Sequence, residues 1–177
     1  MLINGFRKID DLNEKLCALW YEPEYQWYFS GRNHYPMQIK DEDGDERSRT
    51  FASVGRNDEL IGCMGYNVDH AINGVWGVFA IRFPDGDRLT FGRDLQQFID
   101  DIFVKFNFRR AGFGCVVGNP AERMYDRHIV GRMGGRVLCV QREAAVDMQG
   151  NLCDFKQYEV MREDYLQAIS KRKENVR

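Results

Sequence analysis

Residues 88–125, RLTFGRDLQQFIDDIFVKFNFRRAGFGCVVGNPAERMY, read as turn, helix, buried strand and capped helix. The first helix begins near Thr90 to Gly92 and runs to about Phe106. Leu95, Phe98, Ile99, Ile102, Phe103 and Phe106 recur at the spacing of one helical face. Arg93, Asp94, Gln97, Asp100, Asp101 and Lys105 occupy the other side and are expected to meet solvent. Ala111 to Val117 is short, continuous and uncharged, as in a strand covered on both faces. Asn119, Pro120 and Glu122 then supply a cap, a first helical residue and a capping-box carboxylate.

Outward from this unit the chain alternates simpler signals. Residues 2–8 suggest a first strand, and Asp11 with Glu14 suggests a helix start before Leu12, Leu16, Leu19 and Trp20. Residues 25–35 carry Tyr25, Trp27, Tyr28, Phe29 and Tyr35. These aromatics fit a core-packed segment or one wall of a substrate cleft. A charged loop at Lys40–Arg49 precedes strands at Thr50–Val54, Leu60–Asn67 and Val75–Ile81, read as an antiparallel meander. Gly77 marks a bulge or a close approach within the third strand. After Tyr125 the second helix runs to about Val130 and breaks at Gly131–Gly135. Strands at 136–142 and 152–161 and a helix at Glu163–Lys173 complete the chain. Strands come as a block before the central unit. The fold class is therefore a mixed α/β (α+β) sheet, mostly antiparallel, with helices on both faces, in one domain spanning 1–177.

Composition sets the bounds. The 177 residues carry a formal net charge of −2, which gives no general attraction to nucleic acid or to an anionic membrane. No run is apolar enough to span a bilayer and the N-terminus lacks a signal peptide's apolar core, so the expectation is a cytoplasmic protein. Cys17, Cys63, Cys115, Cys139 and Cys153 form no CxxC pair and read as free thiols, with those in strand-like runs (Cys63, Cys115, Cys139) buried. His34, His70 and His128 have no metal-ligand spacing, so no metal is expected. Phosphate-loop, nucleophile-elbow and H-E-x-x-H motifs are absent from the sequence.

Two local features have chemical potential. Asp87 to Arg93 leads from a strand into a helix N-terminus, where unbonded N–H groups and the dipole favour an anion, above all phosphate. Gly92 would admit a ligand to the backbone, and Arg88 and Arg93 could add charged hydrogen bonds. The alternative is an ordinary turn capped by Thr90. Tyr125 shares a helix face with Ala121, Met124 and His128. It fits a packing tyrosine or a phenol that protonates a leaving thiolate.

Three segments, FGRDLQQFIDDIFVKFNFRR, CVVGNPAERMYDR and the late GGRVLCVQR to YEVMREDY, resemble the GCN5-related N-acetyltransferase superfamily. Within it the chain is similar to the branch of the ribosomal-protein N-terminal acetyltransferases. The resemblance covers nearly the whole chain and implies the acyl-CoA N-acyltransferase fold, with acetyl-CoA as co-substrate. It implies that the strand at Val75–Ile81 splays from the one at Ala111–Val117 and receives the pantetheine arm, at Phe79, Ile81 and Phe83. It sets the pyrophosphate on Arg88, Leu89, Thr90, Phe91, Gly92 and Arg93, and Asn119 at the pantetheine. A backbone N–H near Phe79 would steady the oxyanion, and Tyr125 would protonate the CoA thiolate. The acceptor would be a primary amine, of a small molecule or of a protein N-terminus, with a second copy of the chain as a further partner. The segments 21–48 and 143–151 would be the substrate loops. Of the family's glycine-rich pyrophosphate loop only Gly92 is present, and Asn119 and Tyr125 stand closer together than is usual in the family. A second hypothesis is accordingly a non-catalytic module of the same fold. A third is an unrelated α/β protein that binds a phosphate ligand.

Overall fold

The computed structural model describes residues 1–20, 22, 24–25, 37–39, 47–147 and 149–174. The expected cleft aromatics Trp27, Tyr28, Phe29 and Tyr35, and the acidic run at 41–45, lie outside the described residues.

The elements run β1 (Leu2–Asn4), a 3-10 turn (Gly5–Lys8), α1 (Ile9–Leu19), β2 (Ser48–Val54), β3 (Leu60–Asp69), β4 (Gly74–Arg82), α2 (Arg88–Asp100), β5 (Arg110–Val116), α3 (Ala121–Tyr125), β6 (Arg136–Val146), β7 (Leu152–Met161) and α4 (Arg162–Glu174). Wide π turns prolong α2 over Asp101–Lys105 and α3 over Asp126–Val130. One seven-stranded sheet has the order β1-β2-β3-β4-β5-β7-β6. Every neighbouring pair is antiparallel except β4 with β5.

Each face of the sheet carries its own core. On one, Met64, Tyr66, Val78, Phe113, Tyr158 and Val160 pack under Phe98, Ile99, Ile102 and Phe103 of the α2 segment, Ile129 after α3 and Tyr165 of α4. On the other, Ala52, Val54, Cys63, Ile81 and Phe83 pack under Leu12, Leu16 and Leu19 of α1. Helices therefore cover both faces, and the meander of β2, β3 and β4 is as expected.

Local departures have local causes. Phe106 is 40% exposed instead of joining the core face. The π turn adds a residue to the helix, and Phe106 N–H donates to Asp101 O, five residues back. Asp94, expected in solvent, is 2% exposed. It accepts a hydrogen bond from Ser53 Oγ at 2.7 Å and lies 2.9 Å from the Met1 ammonium. α1 starts at Ile9 and leaves Asp11 in its first turn rather than at its cap, because the 3-10 turn at Gly5–Lys8, capped by Asn4, precedes it. Cys139 is exposed, whereas Cys63 and Cys115 are buried. β6 continues to Val146, so only 147–151 remains of the expected loop at 143–151, closed by Asp147 accepting from the N–H groups of Gln149 and Asn151.

Candidate active site

The parallel pair at the sheet's centre is joined at one end only. Gly74, Val75 and Val78 pair with Arg110, Ala111 and Phe113, and the ladder ends there. β5 nevertheless continues to Val116 fully paired with β7, and β4 continues to Arg82 fully paired with β3. Both strands keep their outer partners while their inner edges part. Gly77 breaks the register just before the last pair, Val78 with Phe113, and the strands part beyond it. Its φ of +61° forms a bulge that a side chain would strain, and the register of β4 shifts on both sides at this point.

Strand parity decides which groups face the gap. Phe83 N–H donates to Ile61 O at 2.9 Å, and Ile81 and Phe79 lie opposite Cys63 and Gly65 in the same register. In an antiparallel ladder such residues spend both backbone groups on their partner. The backbones of Phe79, Ile81 and Phe83 are thus committed to β3, and the buried side chains of Ile81 and Phe83 pack under α1, where the Lys15 ammonium lies 5.6 Å from the Phe83 ring centroid. The expectation set the pantetheine arm on these three residues, whose backbone groups are turned to β3 and not to the gap. The groups turned to the gap belong to the alternate residues, Ala80 and Arg82. Arg82 O accepts the Tyr25 hydroxyl at 2.9 Å, so Tyr25 stands at the open end. Burial raises the Tyr25 pKa above its ordinary value of 10.0. By the same parity the N–H turned to the gap is that of Ala80, not that of Phe79.

α2 begins a few residues beyond β4, at the end where the strands part. Its cap is Asp87, not Thr90: Asp87 Oδ2 accepts from Thr90 N–H at 2.7 Å and its carbonyl from Phe91 N–H at 3.0 Å. The bond from Thr90 N–H, with the Thr90 side chain adding to it, holds the Asp87 carboxyl below its usual pKa. Arg88, Leu89 and Arg93 are exposed, and Thr90 and Phe91 are partly covered. A Cβ added at Gly92 would meet nothing within 4 Å, so the start of the helix is open to an approaching ligand. At Gly62 of β3 the opposite holds: an added Cβ would lie 2.6 Å from the Phe91 ring, and this close approach seats the first turn of α2 on the sheet.

Beyond β5 the expected capping box forms only in part, because Pro120 takes the cap position, Asn119 N–H is bonded to Val116 O, and Glu122 reaches one residue further back. Asn119 Oδ1 accepts from Ala121 N–H at 2.8 Å, and Glu122 Oε2 reaches back to Gly118 N–H at 3.0 Å. Asn119 is 9% exposed, at the cleft end of β5. Tyr125, partly buried, packs edge-on to Phe113 at 6.3 Å and Tyr158 at 5.7 Å between ring centroids. The fold therefore brings Tyr125 and Asn119 to the β5 side of the gap and the α2 N-terminus to the β4 side. At strand ends Glu59 and Asp69 accept from the N–H groups of Asn57 and Ala71 within their own turns.

The sequence reading missed a polar cluster beside Tyr125. Tyr158 Oη donates to Asp126 Oδ1 at 3.0 Å, and Lys156 Nζ reaches both Asp126 and Glu122. Burial, reinforced by Asp126, raises the Tyr158 pKa, and burial pushes the Cys115 thiol up to about 11. Burial lowers the His128 pKa, with Arg132 and Arg127 adding to the effect. The alternation of Lys156 and Tyr158 in β7 was the available signal, but only their partners on α3 give it meaning.

No family model and no curated protein sequence matches the chain. Solved structures do. A spermidine N-acetyltransferase from Vibrio cholerae, crystallised with CoA and spermine, superposes with a TM-score of 0.68 at 18% identity, covering 94% of this chain and 97% of that one. A GCN5-related N-acetyltransferase from Brucella melitensis gives 0.68 at 17% identity, covering 94% and 77%. A dodecameric form of the Vibrio cholerae enzyme gives 0.59 at 21% identity over 69% of each chain. The fold is the GCN5-related N-acetyltransferase fold.

Among the described residues, no group of three or more His, Cys, Asp or Glu could hold a metal. No described helix is long and apolar enough to cross a membrane.

Proposed function

We propose that the protein is an acetyl-CoA-dependent N-acetyltransferase acting on a primary amine. The observation that carries this reading is the termination of the β4–β5 ladder at Val78 and Phe113, with the edge of β4 left facing a gap that leads to the start of α2. A pantetheine arm adds to such an edge as a short strand does, through backbone hydrogen bonds. Ala80 and Arg82 would receive it. The pyrophosphate would rest on the first turn of α2 at Arg88–Arg93, with Gly92 admitting it and Arg88 and Arg93 adding charge. Asn119 would border the arm from β5.

The amine nitrogen attacks the thioester carbonyl carbon. A C–N bond forms and the carbonyl oxygen becomes an oxyanion, for which Ala80 N–H is the donor turned to the gap. The C–S bond then breaks, the sulfur leaves as thiolate, and Tyr125 supplies its proton. The ammonium proton leaves through water. Spermidine and spermine, named for the Vibrio cholerae enzyme, are the first acceptors to try, beside a protein N-terminus. The finer placement near the ribosomal-protein N-terminal acetyltransferases rests on the sequence resemblance alone.

A second copy of the chain is the expected partner of β6. That strand is an edge of the sheet and exposes Val137, Leu138 and Val140. Light scattering on the purified chain should read an oligomer, and a monomer at all concentrations would refute this. Five free thiols suit a reducing compartment such as the cytoplasm.

A non-catalytic module of the same fold is the second reading. The observation favouring it is Asp87, whose carboxylate occupies the Thr90 N–H at the start of α2 and sets a negative charge where the pyrophosphate would bind. A thermal-shift titration separates the two. Acetyl-CoA should raise the melting temperature by mass action, and a panel of amines should then release CoA. A melting temperature unmoved by saturating acetyl-CoA and by CoA favours the module.

A further inference from the structure

The apolar anchor of α3 is slight: Tyr125 is only partly covered, against Phe113 and Tyr158. None of Ala121–Tyr125 is fully buried, and the first buried side chain on this helix is Ile129, in the π turn. The two ring contacts hold the Tyr125 side chain, and polar bonds tie down the helix around it. The helix carries two carboxylates one turn apart, Glu122 and Asp126, which would repel each other if unpaired.

Both meet one cation. Lys156 Nζ, on β7, lies 2.9 and 3.0 Å from the two oxygens of Asp126 and 3.2 Å from Glu122 Oε1. Its side chain is only 15% exposed and its ammonium stands 5.3 Å from the Tyr158 ring centroid. Each carboxylate has a second duty. Glu122 Oε2 accepts the Gly118 N–H, which holds the turn bearing Asn119. Asp126, the residue after Tyr125, accepts the Tyr158 hydroxyl. The Tyr158 ring in turn meets the Tyr125 ring edge-on. Isolated surface ion pairs contribute little, but a covered ammonium shared by two carboxylates, each bonded again, acts as a network.

On the acetyl-transfer reading of the cleft, we propose that Lys156 is a positioning residue: it clamps the Gly118–Asn119 turn and the Tyr125 turn of α3 into one arrangement and so aims the proton donor at the leaving sulfur. It touches neither substrate nor cofactor in this role.

The test uses the full chain and two kinds of readout. In amide hydrogen exchange, Lys156→Met should speed exchange across residues 117–126 by about tenfold or more while β2 and β3 stay protected, and Lys156→Arg should restore protection. The milder Glu122→Gln should speed exchange at Gly118. Unchanged exchange over 117–126 in Lys156→Met overturns the clamp. In turnover with acetyl-CoA and spermine, Lys156→Met should lower kcat about ten- to hundredfold with KM for acetyl-CoA nearly unchanged. Lys156→Arg should recover most of that loss, and Lys156→Met should add little to Tyr125→Phe because the two act as one unit. Full additivity in the double variant, or a loss carried by KM, overturns the positioning role. A wild-type chain that binds no acetyl-CoA refutes the acetyl-transfer reading instead, and the exchange data still decide whether the clamp exists.

Discussion

The two ends of the β4–β5 pair are made from the same strands and behave oppositely. At Gly74–Val78 the backbones are zipped together, and Val75, Val78, Ala111 and Phe113 are buried in one core. From Ala80 onward the inner edges part, yet neither strand frays, because β3 and β7 hold the outer edges. A sheet normally leaves unpaired edges only at its rims. Here an interior edge is left open, and its stability is borrowed from the neighbours on either side. An opening of this kind can be kept ready for a ligand without weakening the strands that form it.

The comparison can be broken at either end. The largest expected effect is chemical: Tyr125→Phe keeps both ring contacts but removes the proton, and kcat should fall about 10²- to 10⁴-fold. Wild-type-like turnover in that variant would remove Tyr125 from the mechanism. Next come paired prolines. Phe79→Pro removes an N–H committed to β3 and should unfold the chain or lower its melting temperature steeply. Ala80→Pro removes an N–H that faces the gap, so the chain should fold and lose about 10²- to 10³-fold in kcat. Circular dichroism melts and a CoA-release assay read both, and equal damage from the two would sink the parity assignment. At the hinge between the two ends, Gly77→Val would strain a φ of +61° and should cost about 1–2 kcal/mol in urea unfolding.

The smallest effect is electrostatic. Asp87→Asn keeps a capping side chain but strips the negative charge beside the anion site, and CoA should bind about two- to fivefold tighter at low salt. Its pH dependence has a fixed sign. The folded protein holds the Asp87 carboxyl below its ordinary 3.8, so the stabilisation is complete above that value and is lost as pH falls through the folded-state pKa. Melting temperatures between pH 2 and 6 should therefore fall less steeply on the acid side in Asp87→Asn.

What was legible in the sequence was local. The α2 core face from Leu95 to Phe103 follows from its period, and Asn119 and Glu122 both bond backbone N–H groups at the start of α3, with Glu122 one residue off the capping-box pattern. What was not legible depended on partners far along the chain. Phe79 and Ala80 are indistinguishable until β3 fixes which of them faces the gap. Asp94 looks like a surface acid until Ser53, on β2, donates to it. The exposure of Val137, Leu138 and Val140 could not be foreseen, because an apolar strand reads the same at the middle of a sheet and at its edge.

Arg82 also braces the bend that follows β4. Its guanidinium Nη1 binds the carbonyls of Phe83, Pro84 and Gly86, at 3.1, 3.2 and 2.9 Å, while its own carbonyl accepts the Tyr25 hydroxyl. The short bend joining β4 to α2 is thus set before anything binds. A diphosphate arriving there would lose little entropy to chain freezing, so the geometry favours quick capture over slow moulding.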